Sequence, residues 1–243
     1  DSKGSNVTLA NLPVNLIDRM EIYKGVVPAS LGTDALGGAV NIITLAEKKN
    51  FMDASYSIGS FHTHRADLNA QFVEQCTGLI VRPTIGINYS KNDYRMKDVQ
   101  MRNETGDQFI YGNPKRFHDG YFSLLAQIET GITGKLWADE FFVSASYSKT
   151  DKELQTGSVQ TKVYGMAERN SDAWNVSARY NKHNFITEGM TLKATLSHTW
   201  DHSITIDTAY RKYYWDGGYI VSQRNEIRGN EPSIRHYKRP LTI

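Results

Sequence analysis

The sequence has a single cysteine, Cys76, so it can form neither a disulfide within the chain nor a zinc site built on several thiolates. It has no run of about 18 or more uncharged apolar residues, which excludes an ordinary transmembrane helix. Residues 1–4 are polar and no signal-peptide core follows them, as expected of an exported mature chain or of a fragment. The net charge is only +2, from 28 basic and 26 acidic residues, so nothing favours a nucleic-acid partner.

Tyrosine, by contrast, is abundant, with 14 residues. Its ring suits the apolar layer of a membrane and its hydroxyl suits the headgroups, but tyrosine suits sugar or nucleotide binding as well. The mean hydropathy of −0.50 is compatible with a membrane barrel, because only every second residue of a barrel strand faces lipid.

Strict alternation of apolar and polar side chains begins after about residue 45. In residues 190–200 every even position except His198 is apolar, and the odd positions are Thr, Lys or Ser. This pattern predicts β-strands with one apolar and one polar face. Seven segments show it: residues 52–59, 65–72, 79–91, 121–130, 141–149, 174–180 and 190–200. Pro83, inside the third segment, cannot donate to a ladder and predicts a bulge or a shorter strand there.

Two architectures fit these strands, a soluble sandwich with the apolar faces inside and a membrane barrel with them outside. The connections favour the barrel, because short and long ones alternate, as periplasmic turns and extracellular loops do. Only the first connection, residues 60–64, is shorter than its place in the alternation predicts. The later short connections are residues 73–78, 131–140 and 181–189, and the long ones are residues 92–120, 150–173 and those beyond 201.

A glycine-rich segment, residues 17–44, precedes the strands and predicts a compact unit with tight turns. Lys24 and Gly25 form a turn signal, and Pro28 stands where the G-x-S-x-G nucleophile elbow would need its first glycine. The later glycines mark backbone that needs a positive φ or a close approach, and their spacing is not the G-x-G-x-x-G of dinucleotide-binding proteins. These glycines are Gly32, Gly37 and Gly38.

This segment resembles the end of the plug domain of TonB-dependent outer-membrane receptors. The family pattern is close to I-x-R-[IV]-E-[IV]-x-[KR]-G-P, then a small-residue stretch with a glycine, then G-G-x-[IV]-N-I-I-T. Met20 is a conservative departure, and the proline comes two residues late, at Pro28. The variant PASLGTDALGGAVNIIT is similar to receptors of Bacteroidetes. The motif residues are Arg19, Glu21, Lys24, Gly25, Gly32, Gly37, Gly38 and Asn41.

The resemblance implies an all-β fold: part of a 22-stranded transmembrane antiparallel β-barrel, preceded by the C-terminal part of the plug that fills it. Residues 1–46 would be the plug part and residues 47–243 the first strands of the barrel. The TonB box, which engages the energy-transducing protein TonB, would lie upstream of this chain. The resemblance implies that basic residues of the plug pair with barrel acids and so position the plug. The charged residues of the motif, Arg19, Glu21 and Lys24, would belong to this interface or would be ordinary solvated charges.

The implied function is that of a receptor in the outer membrane of a Gram-negative bacterium, in contact with outer-membrane lipid. It would bind an extracellular nutrient and import it into the periplasm with energy relayed by TonB, without covalent chemistry. The nutrient could be a ferric siderophore, haem, cobalamin, an oligosaccharide or a peptide. The alternatives are a soluble or surface all-β adhesin or binding module, and an outer-membrane barrel enzyme. Neither alternative explains residues 17–44.

The candidate ligand-binding residues lie in residues 210–219, where aromatic and basic side chains could bind an aromatic, sugar or anionic ligand. They are Arg211, Tyr213, Tyr214 and Trp215. An aromatic strand end at the membrane interface is the simpler interpretation. His62 and His64 are two residues apart in the first hairpin but have no third ligand nearby, so we predict no metal site. We predict no catalytic residue and no cofactor, because no nucleophile and base have a recognisable spacing.

Overall fold

The computed structural model describes residues 17–25, 38–44, 49–102, 108–227 and 233–242, which contain antiparallel strands and turns and no helix. The first two strands form a hairpin from β1 (Ile17–Lys24) and β2 (Gly38–Thr44). Glu21 pairs with Asn41 in this hairpin, and the register is interrupted between Ile17 and Arg19. No helix in the described ranges is long and apolar enough to cross a membrane.

Eight of the later strands form one large sheet, in the order β14-β11-β10-β9-β8-β5-β4-β3. All seven predicted strands are present in it, and β14 is an eighth that the sequence did not predict. Two short hairpins, β6 with β7 and β12 with β13, lie in the connections. The strands are β3 (Phe51–Gly59), β4 (Thr63–Glu74), β5 (Leu79–Ser90), β6 (Val99–Arg102), β7 (Phe109–Gly112), β8 (Tyr121–Thr133), β9 (Glu140–Glu153), β10 (Glu168–His183), β11 (Thr191–Asp207), β12 (Arg211–Tyr213), β13 (Tyr219–Val221) and β14 (Ser233–Thr242).

The solvent exposure of apolar and polar side chains on the two faces of the large sheet is the reverse of that in a soluble protein. On the apolar face, large side chains are solvent-exposed, Ile58 at 70% and Leu196 at 66%. On the polar face, Asn69 and Gln71 are each 1% exposed and Ser148 is 2% exposed. A soluble fold buries its apolar side chains and hydrates its polar ones. The large sheet therefore presents to its surroundings the face that water disfavours.

No second sheet covers this apolar face among the described residues. The extensive contacts between strands all run between hydrogen-bonded neighbours, as in a single curving layer. A sandwich needs two sheets packed face to face about 10 Å apart. The architecture is consistent with part of a β-barrel and not with a sandwich.

The prediction of a bulge or a shortened strand at Pro83 is wrong. The ladder between β5 and β8 runs through Pro83, which pairs with Ile128, without a change of register. On the other side, pairing with β4 stops after Thr84 and resumes at Val81 in the same register. The N–H group that proline lacks therefore falls on the β4 side, where two residue pairs of the ladder do not form.

The connections alternate in length as predicted, so the large sheet has a short-turn end and a long-loop end. The turns at residues 75–78, 134–139 and 184–190 are short, and the loops at residues 91–120, 154–167 and 208–232 are long. The turn at residues 60–62 is the exception at the long-loop end. Strands β9, β10 and β11 extend toward the long-loop end beyond the alternating segments, to Glu153, Glu168 and Asp207 respectively.

Candidate functional site

The hairpin of β1 and β2 is organised around the carboxylate of Glu21. Tyr23 donates its hydroxyl to this carboxylate at 2.9 Å, and the Asn41 amide and the Arg19 Nε donate at 3.2 Å each. These bonds, that of Tyr23 foremost, hold the pKa of Glu21 below its ordinary value. Tyr23 was not predicted; its signal is that positions 19, 21 and 23 share one face of a strand.

Glycine is required at one described position of the hairpin. A Cβ at Gly38 would lie 2.5 Å from the carbonyl oxygen of Tyr23, and the φ of Gly38 is +148°. Gly25 has a φ of +85° with open space around it, so its role is conformational. Lys24 is exposed. The remaining motif glycines, Gly32 and Gly37, lie outside the described residues.

The three long loops pack together at one end of the large sheet. We name this assembly the loop cluster; its described residues are 91–102, 108–120, 154–167 and 208–227. Its small core contains Val99, Val163, Tyr213 and Trp215, with Met96 and Met101 against it. The Trp215 indole donates to the carbonyl oxygen of Gln160 at 3.0 Å, and Val163 forms a bridge with Tyr213. The loops are therefore fixed to one another by a hydrophobic core of their own.

A buried glutamine links two of these loops. Gln155 is 1% exposed, and its Oε1 accepts the backbone N–H groups of Phe117 at 2.8 Å and His118 at 2.7 Å. Its Nε2 donates to the carbonyl oxygen of Tyr164 at 3.1 Å. One side chain thus satisfies three buried backbone groups, which would otherwise destabilise the folded loops.

Two buried carboxylates fix the last loop. Glu226 is 3% exposed and accepts the N–H groups of Gly165 at 3.2 Å and Met166 at 3.1 Å. Asp207, at the end of β11, accepts the N–H groups of Glu226 at 3.0 Å and Ile227 at 3.2 Å. Burial raises the pKa of Glu226 despite these N–H donors. Neither residue was predicted, because its partners are more than 15 positions away along the chain.

The predicted ligand-binding residues lie in the loop cluster, and the structure places them unequally. Tyr213 and Trp215 are buried in its core, so their rings pack against protein. The Arg211 guanidinium lies over the ring of Tyr219 at 4.2 Å and donates to the Tyr213 hydroxyl at 3.2 Å. Tyr214 is half-buried. They do not form a strand end of the large sheet, and their role in ligand binding stays a prediction.

His62 and His64 are not brought together by the first turn. His64, on β4, shares a 2.8 Å hydrogen bond with the Tyr56 hydroxyl on the apolar face. His62 lies in the turn, with its Nδ1 3.8 Å from Asp93. Another histidine, His202, contacts Asp172 at 3.1 Å, also on the apolar face and toward the long-loop ends of β10 and β11.

Two adjacent cavities open at the long-loop end, with volumes of about 620 Å³ and about 670 Å³. Asp93 and Lys115 line both and are joined by a 2.8 Å ion pair. Lys115 holds the pKa of Asp93 below its ordinary value. Trp215, one of the predicted ligand-binding residues, lines the first cavity, and His62 lines the second. Cavities of this volume accommodate small-molecule ligands.

The polar face of the large sheet carries a cluster of charged and aromatic side chains. Glu129 accepts hydrogen bonds from Arg82 at 2.7 Å and Arg179 at 3.3 Å. Both guanidinium groups lie over the ring of Phe142, at 5.1 and 5.3 Å, and Arg82 also donates to Gln71. The cluster leaves one positive charge in excess, with Arg179 half exposed. The polar face therefore carries an exposed basic group that an acidic side chain packed against it could contact.

Comparison with known proteins gives a distant similarity that covers most of the chain. No protein-family model matches it. The protein named Vitamin B12 transporter BtuB, from Vibrio vulnificus (strain CMCP6), is 22% identical over 221 residues, covering 80% of this chain and 36% of that protein. The chain thus spans about a third of that relative's length. The similarity agrees with the all-β fold and, in general terms, with a transport function; it does not bear on the Bacteroidetes-like variant.

Proposed function

We propose that this chain is part of a TonB-dependent outer-membrane receptor, with residues 1–46 ending the plug and residues 47–243 beginning the barrel wall. The receptor binds an extracellular nutrient and imports it into the periplasm of a Gram-negative bacterium. It carries out no covalent chemistry; its work is binding and a conformational change. The distant similarity to a vitamin B12 transporter supports this proposal in its general form.

The observation that carries the proposal is the exposed apolar face of the large sheet. On β5 this face runs from Leu79 to Tyr89, ten residues apart, which is about 34 Å along a strand. A tilt of roughly 40° reduces that span to about 26 Å along the membrane normal, close to the apolar band of outer-membrane barrels. The face thus has the chemistry and the height of a lipid-facing wall.

Aromatic side chains border the apolar face at both ends. At the short-turn end, the Trp137 ring lies 5.7 Å from Phe141 and stacks on Tyr180 at 6.5 Å. Six residues along the same strands toward the long-loop end, Tyr147 and Trp174 contact each other at 4.8 Å, and the charged Lys149 and Asp172 follow them on the same face. Aromatic rings of this kind suit the two interfaces of a membrane, where a ring and a polar tip are accommodated together.

The experiment that tests the proposal uses the full-length protein that contains this chain, in its host. We expect the protein in the outer-membrane fraction, and uptake of cobalamin, haem or a ferric siderophore that is lost when either its gene or the gene for TonB is deleted. Recovery in the soluble fraction, or uptake that is unchanged without TonB, would contradict it. The probes are chosen to cover iron and cobalamin, because the residues described do not select between them.

A further inference from the structure

The two cavities at the long-loop end share one wall and differ in their linings. The wall is the ion pair of Asp93 and Lys115, and the cavities lie on its two sides. Phe61, Tyr94 and Arg95 line the second cavity, and Lys91 lines the first. The Phe61 ring contacts the Tyr94 ring edge-on, at 5.6 Å between centroids. Each cavity therefore combines flat apolar surface with cations.

The charges around the shared wall are unbalanced toward the positive. Asp93 is neutralised by Lys115 and has His62 at 3.8 Å. Lys91 lies close enough to Asp93 to help lower the pKa of that carboxyl, but it forms no direct ion pair with a described carboxylate. Among the described residues, the Arg95 side chain donates to the carbonyl oxygen of Asn113, at 3.3 Å.

A second carboxylate, that of Asp119, forms ion pairs with two basic side chains. Asp119 lies 3.2 Å from Arg116, which lines the first cavity, and 2.7 Å from Lys152. Against five basic side chains, Lys91, Arg95, Lys115, Arg116 and Lys152, the acids are Asp93, Asp119 and Asp216. The region thus has an excess of two positive charges that an anion could neutralise.

The tip of the hairpin between β3 and β4 contributes two side chains, Phe61 and His62, to the lining of the second cavity. Their φ values are +63° and +55°, and two consecutive positive φ values are what tight hairpin turns of type I′ require. The backbone N–H of Lys91 donates to the Phe61 carbonyl oxygen at 3.1 Å and helps to hold the tip there. The turn thus places an aromatic ring and an imidazole in the cavity lining.

We propose that the two cavities form one binding site for a small soluble ligand that carries a carboxylate or phosphate on a flat apolar group. The anion binds beside Lys91, Lys115 and Arg95, and the flat group lies against Phe61 and Tyr94. Asp93 is the negative group that limits affinity for the anion. The inference rests on the proposed function in taking this ligand as the class of cargo, whereas the site itself is defined by its own lining.

Binding is tested on the full-length protein in detergent, without TonB, by ligand-observed fluorine NMR. The probes are 4-fluorobenzoate and 4-fluorophenyl phosphate, compared with neutral 4-fluorobenzamide and cationic 4-fluorobenzylamine. We expect at least one anion to bind with a Kd of about 1 mM or tighter, and more weakly as salt is raised, because the contacts are partly exposed. Binding of neither anion, or equal binding of the neutral probe, would overturn the proposal.

Three variants are expected to weaken, strengthen and leave unchanged the binding of the anion. Lys91→Gln removes a cation that forms no direct ion pair with a described carboxylate, and it is expected to weaken anion binding about tenfold, as the loss of a charge-assisted hydrogen bond does. Asp93→Asn removes the competing negative charge and is expected to strengthen it. Lys135→Gln, in a turn at the opposite end of the large sheet, should leave it unchanged. Equal effects of all three would overturn the site. Because TonB takes no part, this failure is separable from a failure of the import function.

Discussion

Tyr147 on β9 and Trp174 on β10 lie directly opposite each other, with ring centroids 4.8 Å apart, on the apolar face of the large sheet. Trp174 is 52% exposed although it has an aromatic partner. Aromatic pairs of this kind stabilise folded proteins modestly, and most of the benefit of a Trp side chain comes from leaving water. In the proposed receptor the bilayer supplies the apolar surroundings, and the pair marks the interface at the long-loop end.

A charge placed on the apolar face, on the short-turn side of this pair, should destabilise the folded protein. Leu196→Lys, on β11, replaces a 66% exposed side chain, which in a soluble protein would cost less than about 0.5 kcal/mol. Facing lipid, the same change is expected to lower the free energy of unfolding by about 2–4 kcal/mol. The measurement is urea unfolding of the full-length protein in lipid bilayers.

The matched control for this substitution is Thr195→Lys. Thr195 is the adjacent residue on β11, it is exposed, and its side chain lies on the opposite face of the sheet. It should change the unfolding free energy by less than about 1 kcal/mol. Two substitutions of equal and small effect would argue that the apolar face does not contact lipid.

Gln155→Leu should loosen the loop cluster while leaving the large sheet intact. The change keeps the approximate shape of the side chain but leaves the N–H groups of Phe117 and His118 and the carbonyl oxygen of Tyr164 without their partner. Each buried orphan costs roughly 1–3 kcal/mol, so a loss of at least about 2 kcal/mol is expected. Hydrogen exchange at Phe117 and His118 should accelerate by at least tenfold.

Gln160→Leu provides the comparison in the same loop. Its side chain is exposed, and only its backbone carbonyl oxygen contacts Trp215. Exchange at Phe117 and His118 should therefore match the unaltered protein. If both leucine variants accelerate exchange alike, the network around Gln155 does not fix these loops.

Protonation of Glu226 in mild acid should stabilise the last loop. Burial raises the pKa of this carboxyl above its ordinary value of 4.5, so the folded protein binds more protons than the unfolded chain between the two pKa values. The stabilising contribution is present below the unfolded value and is lost as the pH rises through the folded value. Amide exchange at Gly165 and Met166, corrected for its intrinsic pH dependence, should slow as the pH falls from neutral toward the ordinary carboxyl value of 4.5.

The Glu226→Gln variant tests whether the carboxyl of Glu226 causes this pH dependence. It removes the titrating carboxyl but keeps the neighbouring contact of the His118 Nε2 with the Ala167 carbonyl oxygen, at 2.9 Å. Protection of Gly165 and Met166 should then no longer change over this pH range. A pH profile that survives the substitution would show that Glu226 is not its cause.

Glu129 and Arg82 should be energetically coupled. Replacing Glu129 by Gln leaves two guanidinium groups facing each other across Phe142 without their shared anion. We expect a loss of about 2 kcal/mol or more for Glu129→Gln, and a double variant with Arg82→Met that is more stable than the sum of the two single changes predicts. A double-mutant cycle of unfolding free energies measures this. Strict additivity would show that the ion pair contributes nothing.

Local alternation was sufficient to predict the strands of the large sheet but not their ends. β10 begins at Glu168 rather than at Trp174, because residues 168–173 pair with β9 and β11 although residues 168–172 are polar on both faces. β14 was missed for a related reason: its sequence, SIRHYKRPLT, has no alternation, and it is a strand because β11 offers it a partner. A hydrogen-bond ladder needs no apolar side chain, so periodicity cannot show it.

The loop cluster could not be predicted from the sequence, because its contacts join residues far apart along the chain. Val99 and Trp215 share a core although 116 positions separate them. The aromatic segment around Tyr213 was recognised, but its rings pack against loops whose conformation no short-range pattern indicates. The motif in residues 17–44 was more informative, because two of its residues, Arg19 and Glu21, contact each other within β1.

The central claim, that the apolar face is covered by lipid, is tested most directly by extracting the full-length protein from bacterial membranes. We expect it in the outer-membrane fraction, soluble only in detergent, and migrating faster on a gel before heating than after, because a folded barrel resists the detergent until it is heated. A protein that stays folded and soluble without detergent, with the same migration before and after heating, would contradict the account.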